Sequence, residues 1–197
     1  DKPNSEFITL VNNFDNNYSV IHNEGTKLYV VTDKGAPKYQ LLEIDIHGKP
    51  DYENWKKLIP ESTDLLESVS LANGKFVAKY LKDVTTRLYV YDMNGKKENE
   101  IKLPGLCKVD AFDSDKEDSL AFFSYKTFTA PDVVYKYNMV TNNMTVWFKP
   151  EIDFKSDDYE TKQVFYTSKD GTKVPMFITH KKGIVLDGNN PCFLFGY

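Results

Sequence analysis

The sequence predicts a mainly β protein that contains about three four-stranded β-propeller blades. Three observations favour this fold class: a repeat of short apolar runs, turn residues at the same place in each repeat, and no convincing helical stretch between the runs. Aromatic residues make up 14% of the chain, and their rings suit the half-buried face of a sheet. We therefore expect antiparallel strands throughout the repeats.

The repeat is clearest in one apolar run of each unit. The runs 41–45, 88–92 and 134–138 end at Asp45, Asp92 and Asn138, which lie 47 and 46 residues apart. Each run is followed by a pair of residues that tolerates a turn: His47-Gly48, Asn94-Gly95 and Asn142-Asn143. The spacing predicts one structural unit for about every 46 residues.

Each unit contains four predicted strands. A leading strand lies near residues 18–20, 66–69 and 109–112, and a second apolar run follows at 28–31, 76–78 and 120–123. A short fourth strand ends each unit at a proline, over residues 55–60, 101–104 and 146–150. Four antiparallel strands in a repeat of about 40–50 residues are typical of a propeller blade, whereas a sandwich has no need to repeat one order three times.

Three blades cannot bury all of their own apolar surface. Propellers close as rings of about four to eight blades, in which each blade packs its faces against its neighbours. We therefore expect the blades to be part of a longer ring. The chain begins at Asp1 and ends within an apolar run, so we expect both ends to be cuts in a longer parent chain.

The pattern changes after residue 151. Residues 151–158 are charged and are interpreted as a linker, and residues 159–166 then alternate apolar and polar side chains. A return strand over 173–180 follows the dipeptide Asp170-Gly171, which favours a type I′ hairpin turn. Pro175 in this strand indicates an edge strand or a bulge, because proline cannot donate to the hydrogen-bond ladder.

The last residues form a continuous apolar run after a polar turn at 187–190. The run Pro191-Cys192-Phe193-Leu194-Phe195-Gly196-Tyr197 is typical of a strand that is buried on both faces. Such a strand requires helices on both sides, and we expect those helices beyond residue 197.

Charge and hydropathy exclude several classes of partner. The net charge of −4 and the lack of a basic block argue against nucleic acid. No apolar run approaches the roughly 18–20 residues that span a bilayer, so no membrane partner is expected. The acidic stretch 113–118 matches no calcium loop and is interpreted as a solvated loop. Two cysteines, Cys107 and Cys192, are too few for a disulfide framework.

Several segments carry a resemblance to a known family. Residues 164–184 (VFYTSKDGTKVPMFITHKKGI) and the closing run PCFLFGY resemble the entry to the hydrolase domain of the prolyl oligopeptidase family. Residues 128–135 (FTAPDVVY) are similar to a segment of the family's late propeller, and residues 51–56 and 58–61 also fit. The resemblance implies that residues 1–151 are a partial β-propeller of about three blades. It implies that residues 152–197 are the N-terminal strands of a truncated α/β-hydrolase, or peptidase, domain.

The resemblance also implies an activity. It indicates part of a serine endopeptidase that hydrolyses short peptides on the carboxyl side of proline, with the propeller gating substrate access and no metal or organic cofactor. Tyr197 matches the family tyrosine whose hydroxyl stabilises the oxyanion, so it is the one catalytic residue that carries over. No serine lies in a G-x-S-x-G elbow, so we expect the catalytic triad outside this chain and the fragment alone to be inactive. His22, His47 and His180 are then expected to be structural or exposed.

The expected partners are short proline-containing peptides and the remainder of the parent polypeptide. The expected location is the cytoplasm, with the periplasm as the alternative. Phe128, Tyr125 and Tyr135 either line a central channel of the propeller or pack within its blades. Two other functions stay open: a non-catalytic propeller that binds a partner, and a related propeller-capped peptidase such as oligopeptidase B or acylaminoacyl peptidase.

Overall fold

The computed structural model describes residues 9–47 and 51–196, and these residues are mainly β. Their strands form four antiparallel sheets, three of four strands and one of two. The helical elements of this part of the chain are two short 3-10 helices, Tyr52–Asn54 and Ser156–Asp158. No helix in the described ranges is long and apolar enough to cross a bilayer.

The three four-stranded sheets follow one another along the chain, each with its strands in sequence order. Sheet 1 contains β1 (Tyr18–Glu24), β2 (Lys27–Thr32), β3 (Gln40–Asp45) and β4 (Lys56–Ile59). Sheet 2 contains β5 (Leu65–Ala72), β6 (Lys75–Lys82), β7 (Thr85–Tyr91) and β8 (Lys97–Ile101). Sheet 3 contains β9 (Lys108–Asp113), β10 (Leu120–Lys126), β11 (Val133–Asn138) and β12 (Asn143–Phe148). A separate hairpin contains β13 (Tyr159–Thr167) and β14 (Lys173–Lys181).

The predicted strand order is confirmed, but two of the fourth strands lie earlier than predicted. β8 ends at Ile101 and β12 ends at Phe148, so the strands predicted to run to Pro104 and Pro150 are wrong at those ends. Each of these strands pairs with the third strand soon after the turn, and its ladder is complete before the proline, which has no N–H to donate. The predicted turn residues Gly95 and Asn142 have φ of +83° and +57°. Gly48 lies outside the described residues.

A β-bulge recurs at the same place in every four-stranded sheet. In the first strand one extra residue interrupts the register with the second strand: Ile21, Glu67, and one of Asp110 and Ala111. Another extra residue interrupts the register between the third and fourth strands, at Leu58, Glu98 and Trp147. Bulges bend a strand, increase its right-handed twist and change where side chains point. The sequence repeat is therefore also a repeat of backbone distortions.

The middle sheet is buried on both faces. An apolar cluster lies between sheets 1 and 2, where the rings of Tyr29 and Phe76 pack edge to face with centroids 5.2 Å apart. A second cluster lies between sheets 2 and 3 and includes Val77, Val90 and Phe123. Phe76 and Val77 are consecutive in β6, so their side chains leave opposite faces of the sheet. Each sheet therefore packs a face against the neighbouring sheet along the chain, which is the arrangement of stacked propeller blades.

The hairpin has the predicted strands but a different turn. β13 and β14 pair in continuous register from Tyr159 with Lys181 to Thr167 with Lys173. Gly171 has φ +88°, but Asp170 is not among the residues with positive φ, so the predicted type I′ turn is wrong. The N–H of Gly171 donates to the carbonyl of Ser168 at 3.0 Å, and the loop is a type I turn that ends in a glycine bulge.

The closing apolar run is not a strand in the structure. Residues 191–196 make no strand pairing, and the side chains of Phe193 and Leu194 are 89% and 84% exposed. The predicted buried strand is therefore not formed, and Tyr197 lies outside the described residues. A strand needs a neighbouring ladder for its backbone groups, and a doubly buried strand also needs layers over both faces. The described residues supply neither.

Gly95 lies against the backbone of sheet 1, and this contact can be tested by adding one methyl group. A Cβ on Gly95 would lie 2.0 Å from the carbonyl oxygen of Leu58, and the backbone has φ +83°. Gly25 has φ +57° with nothing within 4 Å of a Cβ, so Gly25→Ala reports the cost of positive φ alone, about 1–2 kcal/mol. We expect Gly95→Ala to lower the free energy of unfolding by about 1–3 kcal/mol more than Gly25→Ala does, because the Leu58 carbonyl is part of the backbone and cannot rotate away as a side chain can. Urea unfolding of both variants measures this difference, and equal losses would contradict the close approach.

Candidate functional site

The first strands of the three sheets lie near one another and form a polar surface, which we call the first-strand surface (β1, β5 and β9). β1 contacts β5 directly. β5 and the segment of β9 are joined by two side-chain hydrogen bonds, from Ser70 Oγ to the carbonyl of Phe112 at 3.2 Å and from Ser114 Oγ to the carbonyl of Leu71 at 2.6 Å. Side chains that emerge from these strands therefore share one region of the molecule.

Four charged residues form an ion-pair cluster on this surface: Glu67, Lys79, Asp110 and Lys126. Lys79 Nζ donates to the carbonyls of Val109 and Asp110 at 3.3 and 3.1 Å and lies 3.7 Å from the Glu67 carboxylate. The Asp110 carboxylate lies 2.5 Å from Lys126 Nζ. Glu67 and Asp110 both stand at the first-strand bulges, so the bulges direct these carboxylates towards cations on neighbouring strands.

The cluster is electrically balanced. The hydrogen bond from Lys126 lowers the pKa of the Asp110 carboxyl, and Lys108 lowers it further. The same contact with Asp110 raises the pKa of Lys126, with a second contribution from Asp132. Two carboxylates and two ammonium groups leave little net charge for a ligand, so the cluster is best suited to joining sheets 2 and 3. No group of His, Cys, Asp or Glu that could hold a metal ion occurs in the described part of the chain.

A second ion pair lies at the other end of the first-strand surface and connects sheets 1 and 3. Glu24, at the end of β1, pairs with Lys116 of the β9–β10 loop at 3.0 Å and also accepts the Tyr29 hydroxyl at 3.3 Å. The hydrogen bond from Lys116 lowers the pKa of Glu24, whereas burial raises the pKa of Tyr29 to about 12. The Lys116 carbonyl accepts the N–H of Gly74 at 2.7 Å. The ends of all three first strands therefore meet at Lys116.

The three histidines lie in separate places. His22 stacks on Tyr29 with ring centroids 6.2 Å apart, and His47 lies in the turn after β3. His180 Nδ1 lies 3.0 Å from the Lys181 carbonyl, and its Nε2 lies 3.7 Å from the Glu160 carboxylate. Across residues 9–47 and 51–196, no hydrogen bond joins a histidine to a serine. The described residues therefore contain no serine nucleophile with a histidine base.

The aromatic candidates separate into two groups. Tyr125 is 9% exposed and packs edge to face with Tyr135, with ring centroids 5.5 Å apart, next to the core between sheets 2 and 3. Phe128, in the loop between β10 and β11, is 62% exposed, and its ring centroid lies 4.9 Å from that of Phe177 in the hairpin. Two of the three rings thus pack within the sheets, and the third contacts the hairpin.

The sequence reasoning missed the ion-pair cluster. Its members come from four strands, and Glu67 and Lys126 are 59 residues apart in the chain (126 − 67). The available signal was that Glu67 and Asp110 occupy corresponding places in two leading strands. The predicted catalytic residue, Tyr197, lies outside the described residues, so its role stays a prediction.

Comparisons with known proteins give a consistent result. The family model for the N-terminal β-propeller domain of prolyl oligopeptidase matches residues 1–150. The prolyl endopeptidase of Elizabethkingia meningoseptica is 39% identical over 196 residues, which cover 100% of this chain and 28% of that protein. The chain thus spans 28% of the length of this relative.

Solved structures show the same likeness. One comes from a study of two prolyl endopeptidases and the role of inter-domain dynamics in catalysis and specificity. It matches with a TM-score of 0.81 and 35% identity, over 89% of this chain and 26% of that chain. Prolyl oligopeptidase B from Galerina marginata, bound to a 25mer macrocyclization substrate, matches with a TM-score of 0.81 and 28% identity, over 91% and 25% of the two chains.

The balance of the ion-pair cluster predicts a pH-dependent effect of Asp110→Asn. Because the folded-state pKa of Asp110 is lowered, its stabilising contribution is present above the ordinary carboxyl pKa near 4 and is lost as pH falls through the lowered value. Asp110→Asn should therefore lower the free energy of unfolding modestly at pH 7, and the difference from wild type should shrink below about pH 4. Urea unfolding at both pH values measures it. Asp115→Asn, in the exposed adjacent loop, is the control, and a pH-independent loss in Asp110→Asn would contradict the ion pair.

Proposed function

The chain belongs to the prolyl oligopeptidase family, and from that membership we propose that it is part of a serine endopeptidase that hydrolyses short peptides on the carboxyl side of proline. The observation that carries the proposal is the family-model match over residues 1–150 together with 39% identity along the whole chain. The activity is proposed for the protein of which these residues form a part, since the relative is much longer than the chain.

The proposed division of the chain follows its sheets. Residues 1–151 form the late blades of a propeller, and residues 152–197 form the first strands of the α/β-hydrolase domain. Sheet 3 ends at Phe148 and the family model ends at residue 150, which supports the boundary. The hairpin is a two-stranded sheet of its own and pairs with no strand of sheet 3, which supports its assignment to a different domain.

The proposed role of the blades is to restrict access. In a ring of blades, the first-strand surface would face the central channel. Lys79 ties sheet 2 to the β9 backbone of sheet 3, and the Glu24–Lys116 pair ties sheet 1 to sheet 3 along this surface, so the wall of the channel resists widening. A narrow, polar passage admits extended peptides and excludes folded proteins. The related structure from Galerina marginata, which holds a 25mer substrate, supports peptides as the class of partner.

The proposed chemistry is acyl transfer from the peptide to a serine and then to water. Such a reaction needs a nucleophile, a general base, an acid that orients the base, and donors for the oxyanion. We assign the serine, aspartate and histidine to the remainder of the protein. We assign Tyr197 as one donor to the oxyanion, because a phenol held in place opposes the negative charge that develops on the substrate carbonyl oxygen.

Two other proposals complete this assignment. We place the protein in the cytoplasm, with the periplasm as the alternative. A propeller that only binds a partner is the competing function, and it accounts for sheets 1 to 3 but gives no role to the hairpin that follows them.

The function is tested in the full-length protein with a chromogenic peptide whose scissile bond follows proline. Wild type should cleave this peptide, and should leave a peptide with alanine in place of the proline largely intact. The 197-residue fragment alone should cleave neither. A full-length protein that binds but never cleaves proline-containing peptides would favour the binding module.

The role of Tyr197 is tested by Tyr197→Phe in the same protein. Loss of one oxyanion donor should lower kcat about 100- to 1000-fold and change KM little, since the donor acts on charge that develops in the transition state. Tyr166→Phe, on the half-exposed tip of the hairpin, is the matched control and should keep wild-type kcat. A Tyr197→Phe variant with unchanged kcat would remove Tyr197 from the oxyanion site.

A further inference from the structure

Two hairpin residues that contact the four-stranded sheets, Gln163 and Phe177, form one cross-strand pair. Gln163 of β13 lies directly opposite Phe177 of β14 in the register. Directly opposite residues point to the same face of a two-stranded sheet, so both side chains leave the hairpin on one side. Both are part-buried, whereas Phe165 and Tyr166 nearer the turn are about half exposed.

The first contact of the pair is apolar and reaches sheet 3. The Phe177 ring packs on the ring of Phe128, with centroids 4.9 Å apart and planes inclined by 36°. Phe128 lies in the loop that joins β10 to β11, and its side chain is otherwise largely exposed. This geometry is within the range of attractive aromatic pairs. The exposed loop therefore gains cover for its ring only where the hairpin lies against it.

The second contact of the pair is polar and reaches sheet 2. Gln163 Nε2 donates to the backbone carbonyl of Asp83, in the tight turn between β6 and β7. Asp83 and Val84 have φ of +48° and +63°, and Val84 is β-branched and 55% exposed. Positive φ is a genuine outlier for a β-branched residue, and such strain persists where the surroundings require that backbone. The strained turn presents the Asp83 carbonyl that the hairpin binds.

The covalent connection between sheet 3 and the hairpin runs beside the β10–β11 loop, where residues 149–152 and 154–158 line one cavity together with Pro131. Residues 149–158 are mostly irregular and exposed apart from the short 3-10 helix Ser156–Asp158. They enter the hairpin at Tyr159, four residues before Gln163 (163 − 159). The connection can therefore act as a pivot, and the two contacts of the pair fix the angle of the hairpin about it.

We propose that Gln163 and Phe177 form a latch that seats the hairpin on the β6–β7 turn and the β10–β11 loop. Both contacts lie at the surface, where water competes for the Asp83 carbonyl and reaches the Phe128 ring, so the latch is weak and opens reversibly. The role of the latch rests on the proposed function. In that role, the latch sets how often the peptidase domain swings away from the propeller and therefore limits the size of the peptides that enter.

The test uses the full-length protein and two variants that each remove one contact. Gln163→Glu keeps the size of the side chain but cannot donate to the Asp83 carbonyl, and Phe128→Ala removes the ring beneath Phe177. Tyr166→Ala, on the opposite face of β13, is the matched control. The first readout is native-state amide hydrogen exchange of β13 and β14, which needs no peptidase activity.

We expect exchange in the hairpin to be about two- to tenfold faster in each latch variant, with β6 and β10 unchanged and the control like wild type. The second readout is the ratio of kcat/KM for a long and a short proline-containing peptide, which should rise in both variants. Unchanged exchange and an unchanged ratio in both variants would overturn the latch. A wild-type protein without proline-directed cleavage, but with faster hairpin exchange in the variants, would refute the proposed function and leave the latch standing.

Discussion

Burial of the middle sheet between its two neighbours is the constraint on which the described structure depends. β6 sends Phe76 towards sheet 1 and Val77 towards sheet 3, and each of these side chains is no more than 2% exposed. The hydrophobic effect therefore acts between sheets rather than within one. The polar contacts, such as Lys79 with the β9 backbone, orient sheets that apolar packing already holds together. The outer face of sheet 3 has no such cover within the described ranges, as the half-exposed Val146 and Trp147 show. On the outer face of sheet 1, by contrast, Val30, Leu42 and Ile44 form a buried cluster with Trp55.

The strand order was predictable because it depends on local patterns that the sequence carries directly. Apolar runs at a nearly constant spacing, with His-Gly, Asn-Gly and Asn-Asn after the third strands, define the three sheets before any tertiary contact is known. The turn at Asp170-Gly171 was mispredicted because the same dipeptide suits a type I′ turn and a type I turn with a glycine bulge, and the pairing of Ser168 with Thr172 decides between them. The closing run was mispredicted because an apolar run indicates only that its side chains favour burial. A strand also needs a neighbouring strand to pair with its backbone, and residues 191–196 pair with none.

The candidate site was less predictable than the fold, since its members meet only after the sheets pack. Glu67 and Asp110 look like ordinary surface carboxylates in the sequence. Each pairs with a lysine on the next strand of its own sheet, and only the stacking of sheets 2 and 3 brings Lys79 to the β9 backbone. Family membership, by contrast, rested on contiguous motifs and was recognised correctly. The blades and the hairpin then divide the proposed work. In the proposed function the sheets form the wall of the channel, and in the proposed latch the hairpin, held by small surface contacts, is the part that moves.

The paired bulges have a consequence for how the blades tolerate changes in chain length. A bulge lets two residues face one, so a strand can gain or lose a residue there without turning its remaining side chains to the wrong face. The third-strand ends of the three sheets are spaced 47 and 46 residues, and the prolines that follow the fourth strands are spaced 44 and 46. Insertions and deletions of single residues in homologous blades should therefore collect at Ile21, Glu67 and the corresponding positions of β9. There they leave the stacking of one blade on the next intact.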